Sequence, residues 1–571
     1  MELWDKREGM KMSEAATTQA GSVTAGRGVN VVLCLVDDLG YSDFGCYGSE
    51  IRTPVVDALA RSGVRFSQFY NSARCCPSRA ALLTGLHPHQ AGVGHMVWPG
   101  PGDAYAGFLN DRCTTIPEVL AAHGYQTFMS GKWHVGGNYD ALPPEKWRAG
   151  DTGYPTPLQR GFERFFGTLT GSGSYYQPAT LMREDRFIDQ QDPDWYYTDA
   201  IADEAIGMLR ARDAERPFFL YLAFTAPHWP LHARAETIES YRDRYRVGWD
   251  QLRGERHERL VAEGLISPRW ALSPRDADAW SFADSVDRDW ESARMAAYAA
   301  QVEHLDAAVG RVVDYLRRDG TFDNTLFILL SDNGGCAELL REDVIPDDTW
   351  PSSVPLTTFG GTPVAVGNRV GVVPGGPDTF ASYDVCWANL SNAPFRRHKR
   401  WVHEGGISTP FIVHWPGHTV PGTIVHSPAH ITDVMPTILE ATGAAYPAER
   451  GGLPVPAPAG VSLVGEIGGR GMNEDRTICF EHEGHRAIRT GHWKLVSVRS
   501  GDWELYDMSE DRTELNDLAE KEPARVEQMG TTWFEWASAV GADPSVFDDV
   551  ELIESNYVGI SPELRRQYWL H

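Results

Sequence analysis

Asp37-Asp38, Cys75 with Arg79, Lys132 with His134, His228, Asp332-Asn333 and Lys399 are the residues of this chain whose types and settings could do chemistry. Cys75 opens the run Cys75-Cys76-Pro77-Ser78-Arg79, with Leu83-Thr84-Gly85 behind it. Pro77 suits the first turn of a helix, where its missing N–H would be unpaired in any case, and Gly85 suits the end of that helix. Cys75 is thereby predicted at a helix N-terminus, where free N–H groups and the positive end of the dipole favour an anion. Arg79, four residues on, faces the same way. A nucleophile on a cationic helix start is a site for an anionic substrate. The bland reading of the Cys-Cys pair is two small buried hydrophobes or a strained vicinal disulfide.

The paired acids carry a second chemistry. Asp37-Asp38 follows the apolar run VNVVLCLV (29–36), and Asp332-Asn333 follows TLFILL (325–330). Carboxylates at the end of a buried strand are costly unless a cation or strong donors hold them. Carboxylate and amide oxygens suit a hard cation such as Ca²⁺ or Mg²⁺, whereas zinc would recruit His or Cys. His87, His89 and His95 do not repeat a ligand spacing and read as packing or hydrogen-bonding residues.

The elements that must position these groups follow from the same runs. Unbroken apolar stretches of this kind are strands of a parallel sheet covered on both faces, and such sheets keep ligands at their C-terminal edge. Further strands are predicted at 64–70, 125–129, 218–224 and 410–415. Val302, Leu305, Val309, Val312 and Leu316 form one helical stripe ended by Gly320. Residues 231–292 are charged, Trp-containing and without clean periodicity, and are expected at the pocket rim. Residues 341–395 read as long surface loops, and Arg396, Arg397 and Arg400 as a solvated basic face. Residues 1–28, rich in Ser, Thr, Ala and Gly, are predicted disordered. A Gly/Pro-rich connector at 448–471 separates a catalytic domain (29–447) from a small C-terminal domain (472–571) with strands at 486–496 and 503–507 and a helix from about 523. The expected fold is α/β: a large mixed, mostly parallel sheet flanked by helices, plus a small antiparallel unit.

With 571 residues, a net charge of −26 and a pI near 5.1, the chain is large enough for two domains, and its field argues against nucleic acid or anionic membrane as partners. The first residues lack an apolar run of signal-peptide length, and no stretch approaches a membrane span. Eight cysteines without paired spacing look like reduced thiols. The expectation is a cytoplasmic protein.

The run from Cys75 to Gly85 resembles the maturation motif of type I sulfatases, Cys-x-Pro-Ser-Arg, three free positions and Leu-Thr-Gly. Gly131-Lys132-Trp133-His134, Thr225-Ala226-Pro227-His228 and Lys399 ahead of Glu404-Gly405-Gly406 are similar to further segments of that family, in its bacterial arylsulfatase branch within the alkaline-phosphatase-like superfamily. The resemblance spans about residues 29–520. It implies that a formylglycine-generating maturation enzyme oxidises Cys75 to Cα-formylglycine, whose hydrate attacks sulfur. It implies a metal site of Asp37, Asp38, Asp332, Asn333 and residue 75, holding Ca²⁺ or Mg²⁺. Lys132, His228 and Lys399 then bind sulfate, with Arg79 part of the catalytic set. Asp332 takes a proton from the hydrate, His228 or Lys399 assists the leaving alcohol, and His134 accepts the proton of the second hydroxyl as sulfate is expelled. An aldehyde is needed because a sulfated hemiacetal can break its C–O bond by elimination, whereas a sulfated serine would persist. Glu404 and Ser408 are expected to bear on substrate preference. The implied activity is hydrolysis of sulfate monoesters, and the net charge of −26, which repels a polyanion, favours small ones. A phosphonate or phosphate-diester hydrolase of the same superfamily and a non-catalytic metal-binding scaffold are the alternatives.

Overall fold

The strands predicted from apolar runs form the middle of a ten-stranded sheet. In chain order these are β1 Asn30–Val36, β2 Val64–Phe66, β3 Gln126–Gly131, β4 Arg164–Thr168, β5 Leu181–Arg183, β6 Arg186–Phe187, β7 Phe218–Ala223, β8 Thr325–Ser331, β9 Phe411–His414 and β10 Thr423–Val425. The spatial order is β10-β2-β9-β8-β1-β7-β3-β4-β5-β6. From β8 through β1, β7 and β3 to β4 the ladders are parallel; β9 is antiparallel to β8 and to β2. Every residue of β1, β3, β7 and β8 is buried, which explains why their sequences do not alternate. Alternate residues feed two cores, Val32, Cys34 and Val36 on one face and Val31, Leu33 and Leu35 on the other.

The computed structural model describes residues 28–190, 192–281, 288–340, 352–471, 475–499 and 501–547. The disorder expected of residues 1–28 falls, apart from residue 28, outside them. A separate four-stranded antiparallel sheet follows, β11 Thr477–His482, β12 His485–Thr490, β13 Trp493–Ser497 and β14 Glu504–Asp507, with the helix Pro523–Val540 packed on it through Trp533.

Two expectations change. Within 341–395, Asp384–Ser391 is a helix that buries Trp387, Ala388 and Leu390, and residues 341–351 lie outside the described ones. Residues 231–292 do contain helices, yet Trp249–Ala262 buries Arg256 against Asp43 (2.6 Å) and Glu50 (2.8 Å), so this segment builds the core beside the sheet. Its buried ion pairs read as surface charge in the sequence because their partners are some two hundred residues away.

Candidate active site

The ladder between β1 and β8 pairs Val36 with Ser331, so Asp37 and Asp332 leave the sheet side by side. The Asp332 N–H donates to the Val36 carbonyl (3.1 Å), and the Asp38 N–H donates to Asp332 Oδ1 (3.2 Å). On the other flank Gly131 pairs with Ala223, and the Lys132 N–H continues that ladder to the Ala223 carbonyl at 2.8 Å. The Asp37 N–H donates to Ala226 O (3.2 Å), which ties in the loop carrying His228. Because β9 runs antiparallel to β8, the chain that precedes it, including Lys399, arrives at the same edge.

Helix α1, Cys75–Thr84, starts after an extended Arg74 and stops at Gly85, whose φ of 67° is the left-handed conformation that closes a helix. Pro77 is its third residue, still within the turn whose N–H groups lack intrahelical partners. All ten residues are buried. Arg79 reaches from this helix to Asp332 Oδ2 through Nε (3.1 Å) and Nη2 (2.9 Å), while Nη1 donates to the Lys132 carbonyl (2.9 Å).

The remaining contacts close one cluster. Lys132 Nζ pairs with Asp37 Oδ2, and Arg79 Nη2 lies 3.6 Å from the same oxygen. Lys399 Nζ donates to Asp38 Oδ2 (2.9 Å), with His228 Nε2 3.3 Å from that oxygen, and Asn333 Nδ2 donates to Asp38 Oδ1 (2.7 Å). Donor atoms of Cys75, Cys76 and His134 fall within 4.8 Å of one another. The structure therefore brings every sequence-predicted site residue to one sheet edge.

The backbone there is held in costly conformations. Asp38, Ala73 and His134 have φ of 64°, 62° and 54°, a region that costs a non-glycine residue roughly 1–2 kcal/mol. The His134 ring lies against Gly171, where a Cβ would come within 2.2 Å of Cε1.

Electrostatics separate the acids. Burial, outweighing the pull of Lys132, pushes the Asp37 carboxyl up to about 7. Burial also raises Asp332 despite Arg79. Burial would raise Asp38 too, but His228 and Lys399 more than offset it and hold it below the ordinary value. Burial pushes His134 down to about 4, so its ring is neutral near pH 7 and can accept a proton.

The donor set has unsatisfied atoms where a cation would sit. Asp37 Oδ1 and Asn333 Oδ1 are buried and accept no hydrogen bond. Buried acceptors left unpaired cost about 1–3 kcal/mol each, so two hard oxygens orphaned in one acidic cluster fit a divalent ion such as Ca²⁺ or Mg²⁺.

Around this cluster the sequence reading needs correction. Arg396, Arg397 and Arg400 are not a solvated face: Arg396 donates to the Glu514 carbonyl (2.9 Å), Arg397 lies 4.4 Å over the Trp401 ring, and Arg400 grips Glu483 (2.5 and 2.8 Å). Glu404 is fully buried, paired with Lys494 and Arg512 (2.9 Å each), and Ser408 accepts from Arg512 (2.6 Å). These contacts link the segment leading into β9 to Lys494 of β13 and to Arg512 beyond β14. His87 and His89 are hydrogen-bonded to Trp536 and Glu481. Sequence reasoning missed Arg74, Trp229 and Glu338, which touch one another beside Cys75 and His228; no spacing announces them.

Comparison with known proteins places this geometry in a family. The sequence profile named Sulfatase matches residues 29–444. An uncharacterised sulfatase of Schizosaccharomyces pombe is 34% identical, covering 82% of this chain and 85% of its own length. The arylsulfatase of Klebsiella aerogenes is 33% identical over 72% of this chain and 86% of its own. Among solved structures, Ps i-CgsB in complex with k-i-k-neocarrahexaose superposes with a TM-score of 0.63 at 23% identity, covering 95% of this chain and all of that one, which is a likeness of fold.

Proposed function

This chain belongs to the sulfatase family of the alkaline-phosphatase-like superfamily and hydrolyses sulfuric esters, and we propose that it does so through Cys75, matured to Cα-formylglycine by a dedicated enzyme, beside a Ca²⁺ or Mg²⁺ ion held by Asp37, Asp38, Asp332, Asn333 and residue 75. When bound, the ion would withdraw charge from a sulfate oxygen, and the hydrated aldehyde of residue 75 would supply the attacking oxygen.

The chain's own residues do the rest. Lys132, His228 and Lys399 bind the other sulfate oxygens, and Arg79 holds Asp332 where it can receive the proton of the attacking hydroxyl. His228 or Lys399 gives a proton to the departing alcohol. His134, neutral because burial lowers it to about 4, takes the last proton when sulfate leaves. The observation that carries the reading is charge balance: Asp37, Asp38 and Asp332 are matched by Lys132, Lys399 and Arg79, so a divalent ion leaves two net positive charges to attract a monoanionic ester, and passing the hydrate's proton to Asp332 leaves that total unchanged.

Residues 29–447 form the catalytic domain in this proposal, 448–471 a connector and 472–571 the small domain. A cytoplasmic setting is supported by eight cysteines that are all free thiols; among the described residues no helix is long and apolar enough to cross a membrane. The substrate is a small sulfate monoester, because a polysulfated chain would lay many charges along a surface of net charge −26 within the Debye length of about 8 Å, where repulsion is not screened. Peptide mass spectrometry of active enzyme tests the core of the proposal: formylglycine at residue 75 with an intact Cys76 thiol is expected. Full activity with both thiols intact overturns it.

A further inference from the structure

The residues that follow or precede the reactive ones in sequence are joined into a second chain of contacts. Arg74 precedes Cys75, Trp229 follows His228 and Arg400 follows Lys399. Glu338 accepts from Arg74 Nη2 at Oε1 (2.9 Å) and from the Trp229 indole N–H at Oε2 (2.8 Å). Arg74 Nη1 lies 3.8 Å from Glu483, which in turn holds Arg400. Of the two carboxylates, Glu483 is fully buried, whereas the Glu338 side chain keeps 12% of its surface exposed. The groups behind it, Lys399 and His228, keep 2% and 4%. Glu338 is thus the acid at the outer lip, within electrostatic range of two residues assigned above to sulfate. Burial would raise its carboxyl, but Lys399, Arg74 and His228 hold it far below the ordinary range, so it stays ionised at any working pH.

A carboxylate at that position has a chemical consequence. Each of its oxygens takes one donor here, and an ionised carboxylate can accept about four hydrogen bonds in all. Its remaining lone pairs can meet a hydroxyl of the bound alcohol. Its charge opposes any second anion carried there, while the nearest guanidinium, that of Arg74, is already engaged by Glu338 itself.

We propose that Glu338 is a specificity-determining residue, facing the leaving alcohol beside the sulfate site and selecting monoesters whose alcohol carries neutral or hydrogen-bond-donating groups over those with a second anionic group. This rests on the sulfatase reading above and deepens it from the charge of the whole protein to one side chain.

The test uses metal-loaded, matured full-length enzyme and aryl sulfates bearing a carboxylate, or its uncharged methyl ester, at the 3- or 4-position of the ring. In the wild type the carboxylate should lower kcat/KM by about tenfold relative to its methyl ester, mainly through KM, and unequally at the two positions. The field of the whole protein would treat both positions alike. Glu338→Gln, which keeps an acceptor for Trp229, should shrink the ratio to about threefold or less. An unchanged ratio in Glu338→Gln, or an equal loss on both esters, overturns the proposal by reducing Glu338 to a structural role. Should that variant fail to fold, equal penalties at the 3- and 4-positions in the wild type overturn it. If matured, metal-loaded wild type cleaves none of the esters, the sulfatase reading has failed instead.

Discussion

Two buried ionic clusters lie on either side of the segment 399–408, and they differ in completeness. In the cluster that binds the small sheet, three of the four oxygens of Glu404 and Glu514 accept hydrogen bonds, from Lys494, Arg512 and Tyr70 (3.0 Å) on Glu404 and from the Glu404 N–H (3.0 Å) on Glu514; the fourth, Glu514 Oε1, accepts none but lies 2.7 Å from the Lys494 ammonium, so each oxygen has a donor or a cation as partner. In the Cys75 cluster, Asp37 Oδ1 and Asn333 Oδ1 have none. Burial and charge are alike in both. What marks the second as a place for chemistry is the pair of hard oxygens, Asp37 Oδ1 and Asn333 Oδ1, left without a donor in one acidic cluster; left-handed backbone does not separate the two, since it occurs at Asp38 and His134 and equally at Glu514.

The comparison breaks first at the nucleophile. Cys75→Ala should lower kcat by about a thousandfold or more with little change in melting temperature, while Cys76→Ser keeps most activity; matched kinetics and thermal unfolding check both. Next, chelation should abolish turnover and lower Tm together, since an ion that binds only the folded state stabilises it, and Ca²⁺ or Mg²⁺ should restore both. Recovery with Zn²⁺ alone would refute a hard-oxygen site.

The closed cluster should respond in the opposite sense. Glu404→Gln leaves Lys494 and Arg512 short of a buried partner, which should cost about 3–5 kcal/mol in denaturant unfolding while the Ca²⁺-induced rise in Tm is retained. Acid addresses the same group. Burial alone would raise Glu404, but Lys494 and Arg512 depress it to about 2. A depressed carboxylate contributes stability that is complete above its unfolded value near 4.5 and is lost as pH falls towards 2, amounting to about 3 kcal/mol. Glu404→Gln should flatten that part of the stability profile. The smallest effect is expected at Gly171→Ala, which pushes on the His134 ring and should reduce kcat by about ten- to a hundredfold with KM less affected.

The strands and the residues at their ends were legible because a doubly buried strand writes itself as an unbroken apolar run, and whatever polar group follows must sit at the sheet edge. Cys75 and Arg79 were legible through helix-start chemistry and a specific motif. Arg400, Glu404, Glu338 and Glu483 were not. Each is a single charge whose partner is far away in sequence, 264 residues for Glu338 with Arg74 and 83 for Glu483 with Arg400. Neither periodicity nor spacing distinguishes such a residue from a solvated one. The same blindness made Asp384–Ser391 read as loop: eight residues ending in a Leu-Ser-Asn turn offer too short a period beside Gly/Pro-rich neighbours.

Glu483 sits in the two-residue turn between β11 and β12, in left-handed conformation, fully buried against Arg74 and Arg400. Cys75 follows Arg74 directly, in a helix with no exposed residue. Because every residue of that helix is buried, the oxidation of Cys75 proposed above would have to come before the hairpin docks. During synthesis the hairpin emerges about 400 residues after Cys75, which at roughly 5–20 residues per second leaves a window of about 20–80 s. Under the proposed maturation the small sheet would act as a clock: its docking would close the period in which residue 75 can be oxidised.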